Sequence, residues 1–252
     1  MSFIEGGRFF EGTILLSFLM IKPKAVMNWS GGKDSAAALQ KVLEGGEFDV
    51  KYLLTSVNSH WQRISMHGVR RELLKRQAEA IGIELIEILL PEMPSMEVYE
   101  AELNQTLDHL VEDDVTHSIF GDIFLEDLRE YREKQLERKG LLGIFPLWKR
   151  STADLIQEFL DLGFKAIIVC VDGNKLDKSF CGRVIDRSFI SELPGNVDVC
   201  GENGEFHTFV FQAPYFSQQI DFTVGEIVYR KYPAAAESGI ASEFYFCDLI
   251  PA

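Results

Sequence analysis

The chain of 252 residues has four cysteines, and no two of them form a C-x-x-C pair. That absence argues against a zinc ribbon and against a thioredoxin-type redox site. Basic residues are scarce as well, since 25 Lys and Arg stand against 39 Asp and Glu for a formal net charge of −14. A chain with this much negative charge is poorly suited to bind nucleic acid over a general surface or to bind an anionic membrane. Unpaired thiols are typical of a cytoplasmic protein, which is the location we expect.

A long apolar run is also missing. The most apolar stretch near the start, residues 9–21, is interrupted by Glu11 and Gly12 and is shorter than a membrane span requires. It has neither the basic lead nor the small-residue cleavage site of a signal peptide. We therefore expect no membrane association, and we treat residues 1–23 as an N-terminal extension, with Met20 as an alternative native start.

Strand-like apolar segments alternate with segments at helical spacing along most of the chain. This alternation predicts an α/β fold with an open, mostly parallel sheet and helices on both faces. Beyond residue 172 a stretch rich in Gly, Asp, Ser and Pro ends the regular pattern. The predicted strands are 25–29, 52–57, 83–90, 116–121, 142–147 and 165–171, with later ones at 206–211 and 222–229; the predicted helices end near 43, 81, 110, 139 and 162.

A hexapeptide with the sequence SGGKDS lies between the first predicted strand and the first predicted helix. Its two adjacent glycines can adopt the positive φ of a tight turn, so that successive N–H groups face an anion at the positive end of a helix dipole. The serine hydroxyls and the lysine ammonium add further phosphate ligands. We therefore predict a nucleotide phosphate site made of Ser30, Gly31, Gly32, Lys33, Asp34 and Ser35.

Spacing decides which kind of nucleotide loop this is. A Walker A loop would need a glycine at Met27 and Ser or Thr in place of Asp34, and a G-x-G-x-x-G fingerprint fails because position 35 is serine. The hexapeptide instead resembles the SGGxDS loop of the PP-loop ATP pyrophosphatases, which bind the pyrophosphate end of ATP and release AMP and pyrophosphate. An ordinary glycine turn with a helix cap at Asp34 or Ser35 is the alternative interpretation.

A second unusual stretch, residues 201–208 with the sequence GENGEFHT, precedes a predicted strand. Glu202 and Glu205 could orient an amine or ammonia, or hold Mg²⁺, and His207 could exchange protons. A solvated turn before the strand is the alternative.

Taken together, these stretches resemble the diphthine–ammonia ligase family, the diphthamide synthases, of PP-loop enzymes. The resemblance runs from about Lys24 to Tyr232. It rests on Ser30–Ser35, His67–Val69, Gln77–Gly82, Phe120–Ile123, Pro146–Trp148 and Gly201–Thr208.

The resemblance implies an adenine-nucleotide hydrolase-like (HUP/PP-loop) sheet followed by a smaller C-terminal α/β domain. We accordingly expect an ATP-binding domain over 24–145, a substrate domain over 146–232 and a tail over 233–252.

The resemblance also implies ATP-dependent amidation, in which a carboxylate attacks the α-phosphate of ATP and ammonia or an amine then displaces AMP. ATP and Mg²⁺ are the implied cofactors. The implied catalytic residues are Lys33, Asp34 and Glu205, and Asp34 shapes the loop or the Mg²⁺ shell. Gly121 and Asp122 are expected to bind ATP together with Ser30–Ser35. The residues expected on the acceptor side are Glu202, Glu205, His207 and Thr208.

One position departs from the family pattern. After the aromatic residue the family has an acidic residue, G-E-F/Y-E-T/S, whereas this chain has His207. The acyl acceptor therefore stays open between diphthine on elongation factor 2 and a small metabolite, as in a sibling branch proposed to act in cobalamin-related metabolism. A PP-loop enzyme of tRNA modification and a non-catalytic nucleotide-binding sensor are further alternatives. We expect no nucleic-acid partner, and a homodimer is a possible assembly.

Overall fold

The computed structural model describes residues 21–64, 67–232 and 241–252. Residues 1–20 of the predicted N-terminal extension lie outside these ranges. In the described ranges the strands are β1 Lys24–Asn28, β2 Asp49–Asn58, β3 Arg63–Ile64, β4 Glu84–Leu90, β5 Val115–Ile119, β6 Leu142–Ile144, β7 Lys165–Asp172, β8 Phe206–Gln212, β9 Phe222–Tyr232 and β10 Ser242–Pro251. The helices are α1 Lys33–Gly45, α2 Arg71–Ile81, α3 Met96–Glu112, α4 Glu126–Glu137, α5 Thr152–Asp161 and α6 Arg187–Glu192.

The first sheet contains five parallel strands in the spatial order β4-β2-β1-β5-β6, and the short β3 pairs antiparallel with the end of β2. From β1 the chain first builds toward β4 and then returns to add β5 and β6 on the other side. The strand order therefore reverses between β1 and β5, which are direct neighbours. The prediction of an open, mostly parallel α/β sheet is confirmed.

Helices cover both faces of this sheet because successive side chains of each strand point to opposite faces. On β1, Ala25 and Met27 pack in the same core as residues of α1 and α2. Val26, between them, packs in a separate core with residues of α3 and α4. The α1–α2 face is the one that also meets the C-terminal part of the chain.

The second sheet has four strands in the order β8-β7-β10-β9, and all of its pairings are antiparallel. The expectation that residues 165–171 continue the parallel sheet is therefore wrong, because β7 pairs with β8 and β10. Six consecutive residues of β7, Ala166–Val171, are buried. A continuous apolar run is equally compatible with a central strand of either sheet type, so its composition could not show which sheet it joins.

The predicted tail also needs correction, since residues 242–251 form β10, a central strand of the second sheet. It pairs with β9 along most of its length and with the end of β7. Cys247 and Leu249, two residues apart, are buried in the core, as strand periodicity requires. Residues 233–240 lie outside the described ranges.

The two sheets share one core, because α1 lies between β1 and β8 and its Leu39 packs in the cluster that also contains Met27 and Phe209. Backbone contacts join the same layers: the N–H of Val210 donates to the carbonyl of Gly31 at 2.9 Å. The second sheet thereby becomes one wall of the space above the hexapeptide.

None of the helices within residues 21–64, 67–232 and 241–252 is both long enough and apolar enough to cross a membrane.

Candidate nucleotide-binding site

A cavity of about 450 Å³ lies at the carboxyl edge of the first sheet, where the strand order reverses. In open α/β sheets this is the position at which ligands bind. Its walls come from both sheets, and every predicted site residue contributes except Gly31 and Glu205. A smaller cavity of about 300 Å³ between α1 and β6 contains none of those residues.

The hexapeptide forms the floor of the larger cavity. Gly31 has a φ of +76°, which favours glycine, and an added Cβ would meet the side chain of Gln77 at 2.7 Å. The N–H of Gly32 donates to Ser30 Oγ at 3.2 Å, and the hydroxyls of Ser30 and Ser35 lie 3.1 Å apart. α1 begins at Lys33, so the positive end of its dipole opens into the cavity.

Lys33 is almost fully buried, and both of its nitrogens have partners. The backbone N–H donates to Thr208 Oγ1 at 2.9 Å, which ties the loop to β8. The Nζ donates to both oxygens of Asp34, at 2.8 and 2.7 Å. Burial works against a charge on Lys33, but the Asp34 carboxylate outweighs it, so the pKa of Lys33 lies above its ordinary value. A bound phosphate would thus meet an ammonium that is charged and already paired.

The turn after β5 closes the loop from the other side. Gly121 packs so tightly on α1 that an added Cβ would lie 2.8–2.9 Å from backbone atoms of Asp34 and Ser35. Asp122 pairs with Arg132 of α4, with 3.0 Å between Nε and Oδ2. Both Gly121 and Asp122 line the cavity, where the sequence predicted them.

Gln77 of α2 fixes the loop against both sheets, and sequence reasoning did not identify it as a site residue. Its Nε2 donates to the carbonyls of Gly31 at 3.0 Å and Val210 at 2.6 Å, while its Oε1 accepts from the indole N–H of Trp29 at 3.0 Å. The sequence does place Gln77 at helical spacing from Leu73 and Leu74, on the apolar face of the helix. In the structure this amide is fully buried. Such a group needs partners from other elements.

The two glutamates of the 201–208 stretch differ in position. Glu202 lines the cavity, and its Oε1 accepts the N–H groups of Ile123 at 2.8 Å and Phe124 at 3.4 Å. The expectation that Glu205 acts on substrate needs correction, because its carboxylate is buried and bonds within its own loop. It accepts the N–H of Asp198 and both the N–H and the side-chain amide of Asn203. Thr208 lines the cavity while its hydroxyl accepts from the loop.

His207 stacks on a second histidine, His67, which the site prediction did not include. The ring centroids lie 4.6 Å apart with an interplanar angle of 36°, and both rings line the cavity. Burial lowers the pKa of His67 to about 4 and, together with the neighbouring ring, that of His207 to about 3. Both imidazoles are therefore neutral at pH 7, and Nδ1 of His67 donates to the Thr208 carbonyl at 3.4 Å.

Family models match both halves of the chain. The diphthamide synthase N-terminal domain matches residues 23–142, and the diphthamide synthase C-terminal domain matches residues 151–236. The chain belongs to the diphthamide synthase family.

Two diphthine–ammonia ligases show distant similarity to this chain. The diphthine–ammonia ligase of Bos taurus is 30% identical over 141 residues, which are 54% of this chain and 53% of the bovine protein. The diphthine–ammonia ligase of Danio rerio is 26% identical over 231 residues, 83% of this chain and 90% of that protein. This diphthamide synthase family member thus spans about half the length of the bovine relative it matches.

Among solved structures, the U34-tRNA thiolase NcsA from Methanococcus maripaludis aligns with a TM-score of 0.35 and 19% identity, covering 56% of this chain and 57% of the thiolase. A similarity at that level supports no conclusion about function.

Proposed function

We propose that this chain is an ATP-dependent, AMP-forming amide ligase. A substrate carboxylate attacks the α-phosphate of ATP and releases pyrophosphate, and ammonia then displaces AMP from the acyl-adenylate. The observation that supports this most directly is the cavity at the strand-order reversal, whose floor is a glycine loop at a helix N-terminus with Lys33 beside it. Both matching family models support the same reaction class.

In this proposal the hexapeptide holds the β- and γ-phosphates of ATP. The N–H group of Gly32 and the hydroxyls of Ser30 and Ser35, which line the cavity, exchange their hydrogen bonds within the loop for bonds to these phosphates, and Lys33 adds a charge-assisted hydrogen bond. The rigid attachment of this loop to β8 keeps those donors in place before ATP arrives. Such preorganisation places the reactants and stabilises the charge that develops at phosphate.

Mg²⁺ would accompany the ATP. The described residues contain no group of three His, Cys, Asp or Glu side chains arranged as metal ligands. Mg²⁺ is commonly bound by one or two carboxylates together with substrate phosphates, and Asp34 on the cavity wall fits that role. When bound, the ion would neutralise phosphate charge, and Asp34 would hold it and free Lys33 for the phosphates.

For the acceptor, we propose diphthine on elongation factor 2, with ammonia as the nitrogen donor, because the named relatives are diphthine–ammonia ligases. A small carboxylate is the second candidate, since a neutral His207 stands where the family pattern has an acidic residue.

Product analysis tests the proposal. The protein is incubated with ATP, Mg²⁺, ammonium and elongation factor 2 that carries diphthine, and in parallel with a panel of small carboxylates. We expect AMP and pyrophosphate in equal amounts, dependent on the carboxylate. ADP and phosphate, or ATP binding without α–β cleavage for every acceptor, would contradict it, and the second result would favour a sensor.

A further inference from the structure

The Glu202 side chain bridges the two halves of the cavity wall. It belongs to the loop before β8, yet its Oε1 accepts N–H groups from the turn after β5, at 2.8 Å from Ile123 and 3.4 Å from Phe124. That turn contains Gly121, which packs directly on the first turn of α1. The carboxylate is thus held by backbone beside the helix N-terminus on which the phosphate loop is built.

Within the described ranges, the second oxygen of Glu202 has no hydrogen-bond donor. No residue of the described ranges donates a hydrogen bond to Oε2 or forms a salt bridge with Glu202, although the side chain lines the cavity. The charged groups that face it are Lys33 and Asp34 in the first turn of α1, and Cys200 adjoins it in the loop. Burial, together with the Asp34 charge, raises the pKa of Glu202 to about 7.

The other carboxylates near the cavity already have partners. Asp34 binds the Lys33 ammonium through both oxygens, and Asp122 pairs with Arg132. Glu205 is buried, and each of its oxygens accepts hydrogen bonds within its own loop. Asp122 Oδ2 also accepts no hydrogen bond, but it lies 3.0 Å from Arg132 Nε, so its charge is paired. Among the described residues, Glu202 lines the cavity and has neither a donor on Oε2 nor an ion pair.

We propose that Glu202 is a catalytic residue of the amide-forming step, in which its open oxygen, Oε2, accepts a proton from the nitrogen nucleophile. This inference rests on the proposed function. As ammonia attacks the acyl-adenylate carbon, a C–N bond forms, and the C–O bond to AMP breaks with its electron pair leaving on the phosphate oxygen. One N–H proton passes to Oε2 and from there to solvent, so that ammonia and acyl-adenylate give amide, AMP and one proton.

The chemistry of the site favours Glu202 over the two neighbouring histidines as the general base. A general base works best when its pKa lies close to the operating pH, since it must be unprotonated and still hold a proton. His67 and His207 bind protons far more weakly, because burial and the Lys33 charge oppose a second positive charge there. The two N–H groups on Oε1 hold the Glu202 carboxylate at the cavity wall and leave Oε2 available to accept a proton.

The test separates the two half-reactions in Glu202→Gln. An amide oxygen can still accept the N–H of Ile123, so the loop contact survives, and circular dichroism checks the fold. With diphthine-bearing elongation factor 2 and ATP, pyrophosphate release is measured first without an amine. Amide formation is then followed as the hydroxamate that hydroxylamine gives, from pH 5.5 to 8.5, and each rate is corrected for the fraction of hydroxylamine that is unprotonated at that pH.

We expect pyrophosphate release within about 3-fold of the unmodified protein, while amide formation falls by about 100-fold or more, the range of lost general-base catalysis. The unmodified protein should also show a rise in amide formation near pH 7 that Glu202→Gln lacks. Amide formation that stays unchanged, or that falls by the same factor as pyrophosphate release, would overturn the inference. Absence of pyrophosphate release in the unmodified protein would instead refute the proposed function.

Discussion

The phosphate loop (residues 30–35) and the glutamate loop (residues 201–208) line one cavity from opposite sides, and their charged groups are satisfied differently. In the phosphate loop, Lys33 and Asp34 pair with each other. In the glutamate loop, both oxygens of Glu205 accept hydrogen bonds from Asp198 or Asn203, whereas Glu202 lines the cavity and one of its oxygens has no donor among the described residues. Glu205 thus maintains the shape of its loop and Glu202 is available to substrate, while the Lys33–Asp34 pair has to open before Lys33 can bind a phosphate.

The largest effect should come from Lys33→Ala. It removes a charge-assisted phosphate contact worth about 2–3 kcal/mol, so ATP affinity should fall by about 30-fold or more. The unpaired Asp34 carboxylate should also lower the free energy of unfolding. Calorimetric ATP binding and urea denaturation measure the two effects.

The double variant Lys33→Ala/Asp34→Ala is the control. It should recover much of the lost stability, because no unpaired charge remains, but none of the ATP affinity. Unchanged affinity in Lys33→Ala would contradict the assignment of the loop.

Gln77→Leu tests whether the phosphate loop depends on α2 and β8. The change leaves the Val210 carbonyl and the Trp29 indole N–H without their partner, which should cost about 2–4 kcal/mol of unfolding free energy. ATP affinity should fall as well, because Gly31 loses a support.

Gln135→Leu is a matched comparison, since this buried amide of α4 binds Tyr131 and Glu100 away from the cavity. It should keep its ATP affinity and lose less stability than Gln77→Leu, because Gln135 Oε1 is buried without a partner in the described residues. Equal loss of affinity in both variants would break the link between Gln77 and the loop.

Gly121→Ala tests the contact between the β5 turn and α1. The new Cβ would lie 2.8–2.9 Å from backbone atoms of Asp34 and Ser35, and such overpacking costs about 1–3 kcal/mol. We expect a lower melting temperature and weaker ATP binding. Gly195→Ala is the control, because nothing lies within 4 Å of its added Cβ. If the two variants have the same melting temperature and ATP affinity, the close approach of Gly121 to α1 affects neither property.

The smallest effect concerns the pH dependence of stability. The folded-state pKa of Glu202, about 7, is above its ordinary value of 4.5, so ionisation costs stability as the pH rises between these values. Glu202→Gln should therefore be more stable than the unmodified protein by about 1–2 kcal/mol at pH 8, after allowance for partial exposure, and nearly equal at pH 4. Urea denaturation at both pH values measures this difference.

Glu205→Gln should behave in the opposite way. Its new amide NH₂ would face N–H groups that now donate to the carboxylate, so it should lose stability even at pH 8. A stabilising effect of Glu205→Gln at pH 8, or none for Glu202→Gln, would remove the distinction between the two glutamates.

The phosphate loop could be predicted from sequence because its function depends on local backbone geometry. Two glycines between a strand and a helix predict a turn with inward N–H groups, and the structure has Gly31 at positive φ beside the start of α1. The parallel sheet was predictable for the same reason, since the alternation of periods is a local pattern.

Properties that depend on distant partners could not be read from the sequence. Glu202 and Glu205 have the same chemistry three residues apart, and only the fold brings Ile123 to one and leaves the other enclosed with Asn203. Gln77 likewise acquires its role from Val210, 133 positions away. The placement of β7 and β10 in one antiparallel sheet depends on pairings between segments far apart in the chain.

A crystal structure with ATP and Mg²⁺ tests the central claim most directly. We expect the β- and γ-phosphates within hydrogen-bond distance of the Gly32 N–H group and the Ser30 and Ser35 hydroxyls, with the Lys33 ammonium moved from Asp34 to a phosphate oxygen. ATP bound elsewhere, or phosphates that leave the Lys33–Asp34 pair intact and the loop untouched, would contradict it.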